Sequence, residues 1–318
     1  MASHSQEPAL EWPARVGMCV GVLLYLSWTA WAIGLRVEHV AISALFLGLV
    51  GWSPKTARFA WLLLPFFAVG VLYDNMRLFL GLRSDTIHVA DLYHAELHWF
   101  GVQGQAGLET LAELLQRHTH PILDFFCGLA YITYLAEVFL FGLILYFADR
   151  NRFTQLAWTF FWVNVAGIVT YLVYPAAPPW YVTEHGLGPA ILTAAPSAAG
   201  AARFDALVGF GLFESFYARN ANVFGAMPSL HCAYPTVVFL TIRSRGWRWS
   251  IPCGLFALWV MFSALYLNHH YLMDVLVGVA YAVGSFALVY IGRSLLLRRV
   301  HKRERTHLGA SVLLAEDR

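Results

Sequence analysis

From Val16 to Leu35 the chain runs twenty residues without a charged side chain, and a helix of that length spans the roughly 30 Å hydrocarbon core of a bilayer. Residues 1–14 carry no Lys or Arg, and no convincing A-x-A cleavage site follows the run. It reads as a retained first transmembrane helix and not as a signal peptide. Further apolar runs follow at Val40–Trp52, from Ala57 towards Leu82, and at Ile122–Phe147, Phe153–Tyr174, Ser229–Ile242, Ile251–Leu267 and His270–Leu297. The expected fold is therefore an all-α polytopic transmembrane bundle of about eight spans. Charged residues make up 13% of the chain and hydrophobic residues 59%, against about 25% charged in soluble domains, which excludes an ordinary globular protein. A formal charge of +2, with the basic residues in short clusters, gives no footprint for nucleic acid.

Those clusters set the orientation. Lys55 with Arg58, Arg150 with Arg152, Arg243 with Arg245 and Arg248, and the run from Arg298 to Arg305 occupy every second connection and the C-terminal side. Positive residues stay cytoplasmic, so both termini are expected inside. Between Arg83 and His120 the periodicity weakens, and residues 91–100 and 107–116 read as amphipathic helices lying at the outer interface. No internal repeat or second domain is evident. A single catalytic membrane domain is expected over residues 1–307, with a disordered tail over 308–318. The four cysteines, Cys19, Cys127, Cys232 and Cys253, have no C-x-x-C spacing and indicate neither a disulfide framework nor a zinc knuckle.

Two polar stretches interrupt this apolar pattern. In the first, Phe224-Gly-Ala-Met-Pro-Ser-Leu-His231 opens an apolar run; Pro228 suits a first helical position, so the amides around Ser229 to His231 face out of a helix N-terminus that attracts phosphate. In the second, Asn268-His-His-Tyr-Leu-Met-Asp274, His270 and Asp274 stand four apart, on one face of a helix. The carboxylate can accept the Nδ1 proton of His270 and leave Nε2 as nucleophile or base. His269 has only Met273 at that spacing. A phosphate held between His231 and His270 is the natural reading, with the start of both spans on the same, non-cytoplasmic side.

Pro228-Ser-Leu-His231 followed by Ser263-Ala-x5-His270-x3-Asp274 resembles the P-S-G-H and S-R-x5-H-x3-D motifs of the type 2 phosphatidic acid phosphatase superfamily. The K-x6-R-P motif is missing, Leu230 stands in place of Gly, and Ala264 in place of Arg. In these departures, and in Pro175-x-x-Pro-Pro-Trp-Tyr181, the chain is similar to the inositol phosphorylceramide synthase branch. That resemblance implies His270 as the attacking atom, His231 as the acid that protonates the leaving alkoxide, and Asp274 as the orienting carboxylate. It also implies no cofactor and no metal. Arginines would then balance the phosphate: Arg203 first, since the related synthases carry a similar Arg before P-S-L-H, then Arg77, with Arg219 and Arg83 behind. Ser229 and Tyr181 complete the candidate substrate contacts. His94-x3-His98 with Asp91 has a zinc-compatible spacing but no evident fourth ligand. Glu137 lies well inside the fourth span and is left out of the site.

The function expected from the resemblance is transfer of a phospho-alcohol headgroup, phosphoinositol-like, from a membrane phospholipid to a lipid hydroxyl such as that of ceramide. The alternatives are a lipid phosphate or polyprenyl diphosphate phosphatase with water as acceptor, a non-enzymatic lipid carrier, and a haem protein with axial histidines.

Overall fold

The computed structural model describes residues 10–79, 83, 86–105, 107–218 and 222–316. The chain divides into two compact units, residues 1–82 and 83–318. The first unit holds α1 (Trp12–Ala32), α2 (Val37–Trp52), α3 (Pro54–Asp74) and the short α4 (Met76–Phe79). Ser53 stops α2 and caps α3, its side chain accepting the Thr56 amide while Thr56 answers the Ser53 amide, a reciprocal capping box. A polar cluster ties one end of the unit: Asp74 takes Arg36 and His39, and the Trp28 indole donates to Asn75. Arg77 lies in α4, and its side chain is outside the described residues.

The second unit begins with α5 (Ala90–Phe100), a two-stranded hairpin of β1 (Val102–Gln103) and β2 (Leu108–Glu109), and α6 (Leu111–Arg117). The hairpin corrects the expectation of a helix from residue 107. Gly107 has φ +132°, a left-handed value that glycine supplies at least cost, and the helix starts only at the N-cap Thr110, whose side chain accepts the Glu113 amide. Then come α7 (Pro121–Ala148), α8 (Arg150–Val173), α9 (Pro179–His185), α10 (Ala202–Val208), α11 (Leu212–Tyr217), α12 (Leu230–Ile242), α13 (Trp247–Tyr266) and α14 (Leu272–Glu316). Among the described residues six helices, α1, α3, α7, α8, α13 and α14 over Leu272–Leu296, are long and apolar enough to cross a membrane; α2 is a shorter apolar helix. The remaining expected span is α12, thirteen residues long. The segment expected as a disordered tail falls on the end of α14, with residues 317–318 outside the described residues.

Helix α12 is the centre of the second unit and packs against α7, α8, α13 and α14. It is accordingly buried along almost its whole length, as an apolar helix without a polar stripe must be. At one end the basic connections meet. Arg152 donates to the Thr241 carbonyl and to Ser244 Oγ, and Arg293 reaches Asn151 Oδ1. At the other end the long connection between α8 and α12 carries α9, α10 and α11 and is fastened to its neighbours. Ala176 pairs with both His88 and Gly225 in short parallel bridges. The Trp180 amide donates to the Asn268 carbonyl and the Gly200 amide to the Leu267 carbonyl. This second end carries both polar stretches.

Candidate active site

Ser229 is the N-cap of α12, so Pro228 precedes the helix instead of opening it. The Ser229 hydroxyl caps no amide; it lies against the Cys232 thiol. Its own amide donates to the main-chain carbonyl of Asp274 at 2.9 Å, which joins the start of α12 to the first turn of α14. The crossing is close. A Cβ on Gly278 would stand 2.2 Å from the Ser229 carbonyl oxygen, so only glycine lets the two backbones approach in this way.

His231, in the first turn of α12, and His270, just before α14, meet across this crossing. The Nδ1 atom of His231 is 3.1 Å from Nε2 of His270, and Nδ1 of His270 is 3.5 Å from Asp274 Oδ2. His270 and Asp274 are buried, whereas His231 is half-buried. The pairing of His270 with Asp274 arises differently from the expected stacking on a helix face, because α14 starts only at Leu272. Asp274 reaches back out of the first turn: the same Oδ2 accepts the Tyr271 amide at 2.9 Å. The His269 and His270 amides both donate to the Ala264 carbonyl, at 3.1 and 3.2 Å. Asn268 makes the bend at φ +61°, which Asn tolerates better than most residues.

The next two amides of α14 go to a residue that sequence reasoning missed. Glu96 of α5, 176 positions away, accepts the Leu272 amide at 2.9 Å and the Met273 amide at 3.0 Å. Its side chain is fully buried, and burial raises its carboxyl pKa above the usual range, offset in part by these two bonds. The available signal was the placement of an acid inside the roofing segment. Its partner was not readable. His269 turns away from the site. Its ring stacks between Tyr131 and Tyr217, with centroids 5.2 and 4.7 Å away and nearly parallel planes. Burial, then the neighbouring His270, lowers its pKa to about 3, so it is neutral.

The candidate cations are differently disposed. Arg203 donates from Nε to Asp124 Oδ1 at 2.6 Å, from Nη1 to Gln116 at 3.0 Å and from Nη2 to the Tyr266 carbonyl at 3.3 Å. Arg83 lies over the Phe224 ring, and Arg219 is outside the described residues. Tyr181 is buried with Trp180, Val89 and Phe224, its hydroxyl accepting the Ile191 amide at 2.8 Å. Asp91 pairs with His88 and not with His94 or His98. Among the described residues no group of three or more His, Cys, Asp or Glu side chains could hold a metal ion.

The model of the PAP2 superfamily matches residues 101–288, a stretch that includes α12, both histidines and Asp274. The chain belongs to the PAP2 superfamily. It is 39% identical over 264 residues to a phosphoinositol dihydroceramide synthase of Bacteroides thetaiotaomicron, covering 82% of this chain and 86% of that protein. Over 178 residues it is 32% identical to the inositol phosphorylceramide synthase catalytic subunit of Schizosaccharomyces pombe, and over 235 residues 29% identical to that of Saccharomyces cerevisiae. These alignments cover 55% and 73% of this chain, but only 42% and 57% of the fungal proteins. No solved structure matches. As a PAP2 member the protein is an integral membrane enzyme, and its departures from the superfamily motifs have local packing partners. Leu230, in place of Gly, fills the space over Gly167 of α8, its Cδ2 3.0 Å from where a Cβ on that glycine would stand. Ala264, in place of Arg, is fully buried and supplies the carbonyl that holds the histidine loop.

Proposed function

We propose that this PAP2 enzyme transfers a phospho-alcohol headgroup, phosphoinositol in the first instance, from a glycerophospholipid to the hydroxyl of a ceramide-like lipid. The observation that carries the chemistry is the line Asp274, His270, His231. A carboxylate behind Nδ1 of His270 favours the Nδ1–H tautomer and leaves Nε2 bare as nucleophile. With Nε2 as acceptor, the proton of the contact between the rings belongs to Nδ1 of His231, and His231 acts as general acid once a second proton on its own Nε2 makes it an imidazolium, so that giving up the Nδ1 proton leaves a neutral ring. The 3.5 Å separation from Asp274 is longer than a hydrogen bond, and such contacts in unliganded sites tighten when substrate binds.

In the first half-reaction Nε2 of His270 bonds to phosphorus, the phosphorus–oxygen bond to diacylglycerol breaks, and His231 gives its proton to the departing oxygen. In the second, His231 takes the proton of the acceptor hydroxyl, that oxygen bonds to phosphorus, and the phosphorus–nitrogen bond breaks. The amides at the start of α12, which have no acceptor within the helix, supply donors for the phosphoryl oxygens. The names of the relatives support phosphoinositol as the group moved and a ceramide as its acceptor. The experiment is reconstitution with radiolabelled phosphatidylinositol and other phospholipids, with and without ceramide. Predominant release of free headgroup phosphate in excess acceptor would overturn the transfer reading in favour of a phosphatase.

The same proposal sets the site on the non-cytoplasmic side. It rests on the gathering of Arg152, Arg243, Arg245 and Arg293 at the far end of the second unit and on the retention of positive residues in the cytoplasm. Cysteines placed at Thr193 and Ser244 test it: an impermeant thiol reagent added to intact cells should modify the first and spare the second. The reverse pattern would invert the topology.

A further inference from the structure

A small, open-sided groove leads to His231 between α7 and α11. Tyr131 and Tyr134 flank the imidazole, with centroids 4.5 and 4.8 Å away, and Phe213 and Tyr217 continue the wall. The groove has a direction. Tyr131 and Phe213 are buried at its inner end, while Ile132 is 38% and Phe216 60% exposed at its mouth. Among the described residues no cation lines it, and His231 is the one ionisable lining group apart from the tyrosines. Beyond the mouth, Leu207, Phe210 and Leu212 of the α10–α11 hairpin are also exposed, so the aromatic wall is continuous with an apolar rim. In water this rim would be costly, and against lipid it is not. His270 and Asp274 are buried, so the groove reaches the site through the half-buried His231.

We propose that this groove seats the hydrocarbon chain of the lipid alcohol whose oxygen His231 serves: the leaving diacylglycerol in the first half-reaction and the incoming acceptor in the second. The assignment rests on the two-step reading above and adds where the alcohol lies. Both oxygens occupy the same place, opposite Nε2 of His270 across the phosphorus, because displacement at phosphorus is in line and His231 handles the proton in both directions. A phosphate-bearing headgroup would find no cation among the described lining residues to balance its charge, whereas a chain gains from apolar burial about 0.8 kcal/mol per methylene.

The test uses full-length protein in bilayers and a ceramide analogue with a photoreactive group in its chain. Crosslinks should map to residues 131–135 and 213–217, and added diacylglycerol should suppress them by competition. The variant Leu135→Trp, which fills the groove, should raise the KM for a long-chain acceptor about tenfold relative to a short-chain one. Leu255→Trp, on the exposed face of α13, serves as the control for an added indole at the lipid surface and should not alter the chain-length preference. Crosslinks confined to other segments, or a Leu135→Trp enzyme slowed equally for long and short acceptors, would overturn the assignment. Groove labelling by an enzyme that only hydrolyses would leave the groove standing and remove the transfer reading, so the two failures are distinct.

Discussion

Nδ1 of His231 and Nε2 of His270 are 3.1 Å apart, so the proposed nucleophile and the proposed acid stand in direct hydrogen-bond contact. No phosphoryl group fits between two atoms in hydrogen-bond contact. On the proposed mechanism substrate parts the rings, and until then the contact holds Nε2 of His270 against the start of α12. His270→Ala is expected to lower turnover by a factor on the order of 10⁴–10⁶, as loss of a nucleophile does when partner residues act as a unit. His231→Ala should cost about 10²–10⁴-fold with a lipid alkoxide leaving group and far less with an activated aryl leaving group. Steady-state rates on both substrate types check the pair. Equal losses on the two would remove the acid role from His231.

Glu96 caps the helix that carries Asp274, and it does so as a buried carboxylate. Replacement by Gln keeps the shape but turns an NH₂ group toward one of the two α14 amides, so turnover is expected to fall while the donor KM changes little. The pH dependence carries a sign. The folded-state pKa is raised, so the stabilisation that a bound proton confers is complete below the ordinary carboxylate pKa and lost as pH rises through the raised value. Wild type should therefore lose thermal stability relative to Glu96→Gln as pH increases across that window. Parallel melting curves of the two proteins would remove the argument.

His269 has the opposite standing from its neighbour. It is neutral and sandwiched between Tyr131 and Tyr217, so His269→Phe should retain turnover within about tenfold, because an aromatic ring of similar size keeps the stack. His269→Ala should instead destabilise the protein by about 2–4 kcal/mol through lost packing. Melting temperature and turnover measured together separate the two effects.

The spans were legible because membrane helices are long apolar runs, and their ends fell within a few residues of the expected limits at α7, α8, α12 and α13. The candidates His270 and Asp274 stood out because their spacing is local, and His231 because it sits at the opening of an apolar run. What the sequence hid is non-local. Glu96 caps a helix 176 residues downstream, and nothing in an isolated Ala-Glu-Leu announces that partner. His270 looked helical because its spacing to Asp274 is four, yet a carboxylate at the third helical position reaches back to residues before the helix just as well. Arg203 and Tyr181 were singled out by their place on the loop, whereas contacts across the fold decide where their polar atoms point. The aromatic wall around His231 was invisible for a similar reason: Tyr131 sits on α7, a long and mostly apolar helix, and Tyr217 on the six-residue α11, too short for a periodic stripe to set one face apart.

Arg203 offers a direct test between structural and phosphate-binding roles. Its guanidinium is taken up by Asp124, Gln116 and the Tyr266 carbonyl, so Arg203→Met alone leaves Asp124 buried with a lost charge partner, at a cost of about 1–3 kcal/mol. Replacing both, with Arg203→Met and Asp124→Leu together, removes that penalty, since an apolar pair is often as stable as a buried ion pair. The double variant should recover most of the stability and much of the kcat/KM lost in the single one. Recovery of stability without recovery of kcat/KM would return Arg203 to the phosphate.

Gly278 sets the distance between the histidines without touching either. A Cβ there would stand 2.2 Å from the Ser229 carbonyl oxygen and 3.1 Å from its carbon, and backbone atoms cannot yield as a flexible side chain does. Gly278→Ala must push α14 away from α12, stretching the Ser229 amide bond to the Asp274 carbonyl and carrying His270 away from His231. Alanine is a better helix former than glycine by about 1 kcal/mol, so local propensity offsets part of the steric cost and the variant should still fold. The expected result is a folded, monodisperse protein whose turnover falls by about 10²-fold, the scale of a 1 Å misplacement in a catalytic geometry. Donor and acceptor KM should change much less, because the groove between α7 and α11 does not include α14. Turnover at the wild-type level in Gly278→Ala would mean that the close crossing of α12 and α14 does not set the catalytic distance.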